Sequence, residues 1–211
     1  MSPKLFTSLA FIFSIAPSFA IPVLDQNPNN ADTLLLSFRA NAGLGQSFRQ
    51  SGTNIAGAGV FINNGGIGIF PGLPGSTTFN LTINLWNTLP NQTTAQLLAS
   101  GTALATASGV DGHYVDVFWA PVATLPSTGL FLEFVSDAAG FGVGVWGSSF
   151  DNYPTGDAYG NGFGLFSDYD YAFRTYSDNG VSQIPEPATL ALVGLGVLGL
   201  ASVRRKVLKS N

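Results

Sequence analysis

Three stretches in the middle of the chain alternate apolar and polar residues with a period of two. In 78–87 (TFNLTINLWN), Phe79, Leu81, Ile83 and Leu85 fall on one face, and Asn80, Thr82, Asn84 and Trp86 fall on the other. In 113–119 (HYVDVFW), Val115, Val117 and Trp119 oppose Tyr114, Asp116 and Phe118; in 130–137 (LFLEFVSD), Leu130, Leu132 and Phe134 oppose Phe131, Glu133 and Val135. A period of two belongs to a strand with one face on a core. The same reading predicts strands at 33–39, 45–50, 56–62, 95–106 in two pieces, 141–146 and 170–176. Turn residues separate them: Asn63-Asn64-Gly65-Gly66, Pro71-Gly72-Leu73-Pro74-Gly75, Leu89-Pro90-Asn91, Asp111-Gly112 and Pro126-Ser127-Thr128-Gly129. Eight to ten short strands with no helix between them predict an all-β fold, an antiparallel β-sandwich of jelly-roll type. No repeat of fixed period is visible, which argues against a propeller or a solenoid.

The two ends follow different patterns. Lys4, an apolar run over 5–17 and the small-x-small triplet Ser18-Phe19-Ala20 form a secretory signal peptide, with cleavage expected between Ala20 and Ile21. Residues 188–203 carry no formal charge and precede Arg204-Arg205-Lys206. As a helix this run is about 24 Å long, short of the ~30 Å hydrocarbon core, with the basic stems able to cover the difference. Pro185 and Pro187 keep the helix from extending upstream. The expected organisation is a signal peptide at 1–20, a β-sandwich at 21–176, a flexible linker at 177–184, a sorting or anchor segment at 185–206 with a single transmembrane helix at 188–203, and a cytoplasmic tail at 207–211. The positive-inside rule places the body outside and the basic cluster inside.

This tripartite end, Pro185-Glu186-Pro187, a short apolar helix, then Arg204-Arg205-Lys206, resembles the PEP-CTERM sorting signal of bacterial exported proteins. The resemblance implies that the protein is a substrate of an exosortase, a membrane-embedded cysteine protease-transpeptidase. The chain would be anchored in the inner membrane before processing and then delivered to the cell surface or extracellular matrix. The body is also similar to carbohydrate-binding-like jelly rolls found in such exports, through GQSF at 45–48, LTINLW at 81–86, YPTGDAYGNG at 153–162 and DYAFRTY at 170–176.

Charge and chemistry narrow the function further. Residues 21–183 hold eleven acids against three arginines, a formal charge of −8, and no lysine. Nucleic acid is excluded as a partner, because its binders gather Lys and Arg on one face. With no cysteine and one histidine, His113, neither Cys-His catalysis nor a Cys/His zinc site is available. His113 reads as an ordinary strand residue. The G-x-G-x-x-G matches at 194–199 and 142–147 lack the strand-turn-helix unit that gives the motif meaning. Asn80-Leu81-Thr82 and Asn91-Gln92-Thr93 match a glycosylation acceptor of a eukaryotic type, which a bacterial export would not use.

The richest polar stretch is 148–170. Asp151, Asp157, Asp168 and Asp170 supply hard oxygen donors for a structural calcium ion. Trp146, Tyr153, Tyr159 and Asp157 combine rings and polar groups in the manner of a glycan site. The expectation is an exported, non-enzymatic surface or matrix protein with a structural or exopolysaccharide-associated role. The alternatives are a specific carbohydrate-binding module and a glycan hydrolase, the latter requiring two carboxylates flanking a cleft, for which Glu133 and Asp116 on adjacent strands are candidates.

Overall fold

The computed structural model describes residues 22–28, 34–39, 42–67, 70–71, 76–108, 112–139 and 142–178. Ala20, Ile21, the signal peptide, the whole segment 185–206 and the tail lie outside the described residues. The transmembrane helix expected at 188–203 is among them; among the described residues no helix is long and apolar enough to cross a membrane.

In chain order the strands are β1 (Val23–Gln26), β2 (Leu34–Ser37), β3 (Leu44–Arg49), β4 (Asn54–Asn63), β5 (Gly66–Ile67), β6 (Phe70–Pro71), β7 (Ser76–Trp86) and β8 (Leu97–Ser108). They continue with β9 (His113–Ala123), β10 (Gly129–Ser136), β11 (Gly144–Ser148), β12 (Ala158–Gly160), β13 (Gly164–Phe166), β14 (Asp170–Tyr171) and β15 (Phe173–Ser177). Two antiparallel sheets form the body. One runs β13-β12-β3-β10-β7-β8; the other runs β1-β15-β4-β11-β14, with β2 on β11 and β9 on β4. β5 and β6 make a separate two-stranded ribbon.

The predicted alternation becomes the core. Phe79, Leu81, Ile83 and Leu85 of β7 are all buried, together with Leu130, Leu132 and Phe134 of β10 from the same sheet and Val60, Ile62, Val115 and Val117 from the other. These side chains form one apolar cluster fed by both sheets. Each fully buried Leu, Ile or Phe contributes roughly 1.5–3 kcal/mol by leaving water. The polar positions of β7 pair instead across the outer face, where Thr82 meets Thr102 at 2.8 Å and Thr78 meets Thr106 at 3.1 Å.

Three features depart from the sequence reading. Residues 95–106, expected as two pieces, form one long strand, β8, paired with β7 from Ser108 to Leu97. The glycine that would divide it, Gly101, brings β8 against Val117 and the Phe118 carbonyl of β9, where a side chain would not fit. Pro121 lies inside β9, which is tolerated because β9 is an edge strand and its register with β4 shifts there. β1, β5, β6, β12 and β13 were not predicted, and 170–176, expected as one strand, is divided into β14 and β15. β1 pairs antiparallel with β15, Val23 opposite Ser177, and Asp178 is held beyond it by two hydrogen bonds with Asn54.

Candidate functional site

A polar cleft of about 530 Å³ opens on the outer face of the six-stranded sheet. Its floor is β3 and β10, through Ser47, Arg49 and Phe131; one wall is 87–89, and the other is the segment 151–157 with Tyr159 of β12. Pairing explains why these residues meet. Phe131 sits opposite Ser47 in the β10–β3 ladder, and Tyr159 opposite Gly45 in the β12–β3 ladder, so all face outward on three adjacent strands. Gly45 has no side chain because the Phe131 ring and the Leu132 carbonyl occupy that space. Tyr159 and Phe163 then pack edge-on to Phe131, with ring centroids 5.6 and 5.8 Å away.

The β12–β13 hairpin carries three successive left-handed residues, Asn161 (φ 49°), Gly162 (φ 80°) and Phe163 (φ 70°). For a bulky residue such as Phe163 this conformation is unfavourable. The ring contact with Phe131 offsets it.

The wall at 151–157 is pinned from beneath. Buried Asp170 accepts from the Tyr153 amide at 2.7 Å and from Gln46 Nε2 at 2.9 Å, and Gln46 Oε1 in turn accepts from the Tyr171 amide at 2.9 Å. Burial pushes the Asp170 carboxyl above its ordinary value of 3.8, against the bonds from Gln46 and Tyr153 that favour the charged form. From above, the Asp157 amide donates to Ser47 Oγ at 2.8 Å, and the Ser47 amide donates to the Asp157 carbonyl at 2.8 Å. These bonds leave the exposed Asp157 carboxylate facing the cleft. Burial raises the Tyr159 phenol above 10.0, and the Asp157 carboxylate beside it adds to that.

The predicted glycan residues therefore divide. Asp157 and Tyr159 line the cleft. Tyr153 lies beneath it: its hydroxyl donates to Gln26 Oε1 at 2.9 Å and its ring meets Phe173 at 5.2 Å, so it braces the body. Trp146 is on β11 in the other sheet, against Phe61 at 6.1 Å, and takes no part in the cleft.

The predicted calcium residues divide as well. Asp151 and Asp157 line the cleft, Asp168 occupies a left-handed turn position (φ 61°), and Asp170 is buried and committed to its donors. Among the described residues no group of three or more His, Cys, Asp or Glu side chains is placed to hold a metal ion.

Glu133 and Asp116 are not neighbours on adjacent strands, as one reading of the sequence allowed. Glu133 on β10 belongs to the six-stranded sheet, and Asp116 on β9 to the other. Asp116 is bound by Arg174, whose Nε donates at 2.6 Å and whose Nη2 also donates; the guanidinium stacks over Tyr114 at 4.3 Å. This pair lies flat over Gly59, where a side chain would collide with both partners. His113 is an exposed residue at the start of β9, paired with Ile62.

Sequence reasoning missed Trp86, Asn84 and Ser100, which continue the polar outer face beside the cleft. The available signal was a tryptophan on the polar side of an alternating strand.

The described part of the molecule is an all-β, two-sheet body with a polar cleft on one face. Residues 183–206 match the family model of the PEP-CTERM protein-sorting motif. The chain thus carries a sorting motif, which implies export, membrane anchoring and exosortase-dependent processing. The match is confined to that segment and describes how the body is sorted, not what it binds. No curated protein and no solved structure matches the chain.

Proposed function

We propose that this is a non-enzymatic protein of the bacterial cell surface or extracellular matrix, a jelly-roll body with a structural, exopolysaccharide-associated role. The observation that carries the reading is the sorting motif at 183–206. An acidic, lysine-free body supports it, since such a surface stays soluble after release and does not adhere to nucleic acid. Support for the polysaccharide role comes from the cleft, where Asp157, Ser47 and Arg49 stand beside the half-buried Tyr159 ring, itself seated on buried Phe131. Sugar hydroxyls need such polar partners, and their apolar ring faces need such rings.

The test replaces Pro185, Glu186 and Pro187 together by Ala in the full chain and follows its distribution among membrane, surface and medium. Accumulation of unprocessed chain in the membrane is expected. An unchanged distribution overturns the sorting reading. Cosedimentation of the unaltered protein with isolated surface polysaccharide checks the second half, and a protein that stays wholly in the supernatant contradicts it.

A further inference from the structure

Beyond the cleft, the outer side of the sheet continues onto β7 and β8. In the β10–β7 ladder Phe131 stands opposite Trp86, and Glu133 opposite Asn84; in the β7–β8 ladder Asn84 stands opposite Ser100. All of these residues lie on the outer side of the sheet, because their neighbours Leu130, Leu132, Ile83 and Leu85 are buried on the inner side; Phe131 is covered there by Tyr159 and Phe163, while Trp86, Glu133, Asn84 and Ser100 reach the surface. Beside the cleft they form a relay. Ser100 Oγ donates to Asn84 Oδ1 at 2.6 Å, Asn84 Nδ2 donates to Glu133 Oε2 at 3.0 Å, and Trp86 Nε1 donates to the same Oε2 at 2.9 Å. Glu133 Oε1 takes no partner among the described residues, so an acceptor remains for an incoming hydroxyl. The indole is held by its only N–H and keeps a fixed orientation.

We propose that this outer face binds a neutral, linear glycan crosswise to the strands, from the cleft beside Tyr159 across β10 to a second subsite formed by Trp86, Glu133, Asn84 and Ser100. The proposal rests on the polysaccharide-associated reading above and names the ligand class and path. The path crosses β12, β3, β10, β7 and β8, five adjacent strands spanning about 19 Å at ~4.8 Å per step. That is longer than one sugar ring and favours a chain over a monosaccharide.

Charge selects a neutral polymer. Asp151 and Asp157 line the cleft and Glu133 the second subsite, against one cation among the described residues there, Arg49, whose Nη1 already donates to the Ser127 carbonyl at 3.1 Å. A polyanion meets net repulsion on this surface. A hydroxyl-bearing neutral chain finds carboxylate acceptors at both subsites.

The experiment is calorimetric titration of the full-length protein in detergent with cello-oligosaccharides and manno-oligosaccharides from disaccharide to octasaccharide, with alginate as the polyanionic probe. Affinity for at least one neutral series should rise with length and then level off, and alginate should not bind. Trp86→Ala and Glu133→Gln should each weaken the octasaccharide by about tenfold while leaving the disaccharide unchanged. Asp157→Asn in the cleft should weaken both lengths. Trp86→Phe, with the thermal transition of each variant, separates loss of the subsite from loss of the fold. Octasaccharide binding that is indifferent to Trp86→Ala and Glu133→Gln in folded protein overturns the second subsite and leaves the polysaccharide reading standing. Failure of both neutral series, or alginate binding as tightly as they do, overturns the glycan assignment itself.

Discussion

Replacing Asp170 by Ala should destabilise the body and loosen one wall of the cleft at the same time. The carboxylate is the acceptor for the Tyr153 amide at 2.7 Å and for Gln46 Nε2 at 2.9 Å. Each buried donor left without a partner costs about 1–3 kcal/mol, so two orphaned donors cost roughly 2–6 kcal/mol gross. Removing a carboxyl that is itself buried returns part of this, since burial raises its value above 3.8. The net loss expected is about 2–4 kcal/mol, or roughly 5–12 °C in Tm for a domain of this size. Urea unfolding of the mature protein at neutral pH measures the loss, and amide exchange should quicken at 151–157, where the Tyr153 anchor is gone.

Asp170→Asn supplies the sign of the pH effect. A carboxyl whose folded value is raised binds its proton more tightly when folded, so its contribution is fully present below 3.8 and is lost as pH rises through the raised folded value. Asn cannot take that proton. The wild-type protein should therefore gain stability relative to Asp170→Asn as pH falls from neutral to below 3.8. An Ala variant within about 0.5 kcal/mol of wild type would show that this carboxylate does not anchor the wall, and an Asn difference that does not change with pH would show that burial does not raise its folded value.

Other outcomes follow from the same geometry. Tyr176 is pushed up to about 12, by burial first and then by its contact with the Asp116 carboxylate; it should stay protonated in an alkaline absorbance titration well past 10.0, and Asp116→Asn should bring it back down. Because the folded phenol holds its proton more tightly, its stabilising contribution is complete below 10.0 and disappears as pH rises towards about 12. Gly45→Ala places a methyl group against the Phe131 ring and the Leu132 carbonyl; a loss of about 1–3 kcal/mol is expected from overpacking, and an unchanged urea midpoint would refute the close packing of β3 on β10.

How much of this was legible in the sequence depended on whether a residue's surroundings are set locally. β7 is the clearest case: Phe79, Leu81, Ile83 and Leu85 face the core, Asn80, Thr82 and Asn84 face outward, and a strand with two different faces writes its period into the sequence. The β12–β13 hairpin could not be found this way. Each of its strands is three residues long, too short to show a period, and its loop depends on a left-handed Phe163 held by a distant ring.

The site suffered from a different limit. Trp146 and Tyr159 are close in sequence, yet β11 joins one sheet and β12 the other, and strand order is decided by long-range pairing rather than by periodicity. The same limit separated Glu133 from Asp116 and brought Asp157 to Ser47. Asp170 resembles its acidic neighbours in sequence, and only the buried donors around it distinguish an anchor from a surface charge. The C-terminal motif was the reverse case. Its meaning lies in local order, Pro-Glu-Pro, apolar run and basic cluster, and the family match falls on the same residues.

The central claim is that this body is exported and then separated from its C-terminal sorting segment. Intact mass of the protein recovered from the surface and the medium, with mapping of its C-terminal peptide, tests it most directly. The account predicts a chain beginning at Ile21 and ending at or near Pro185-Glu186-Pro187, with or without attached sugar mass. Recovered protein that still ends in Arg204-Arg205-Lys206 and the residues after it would contradict the account.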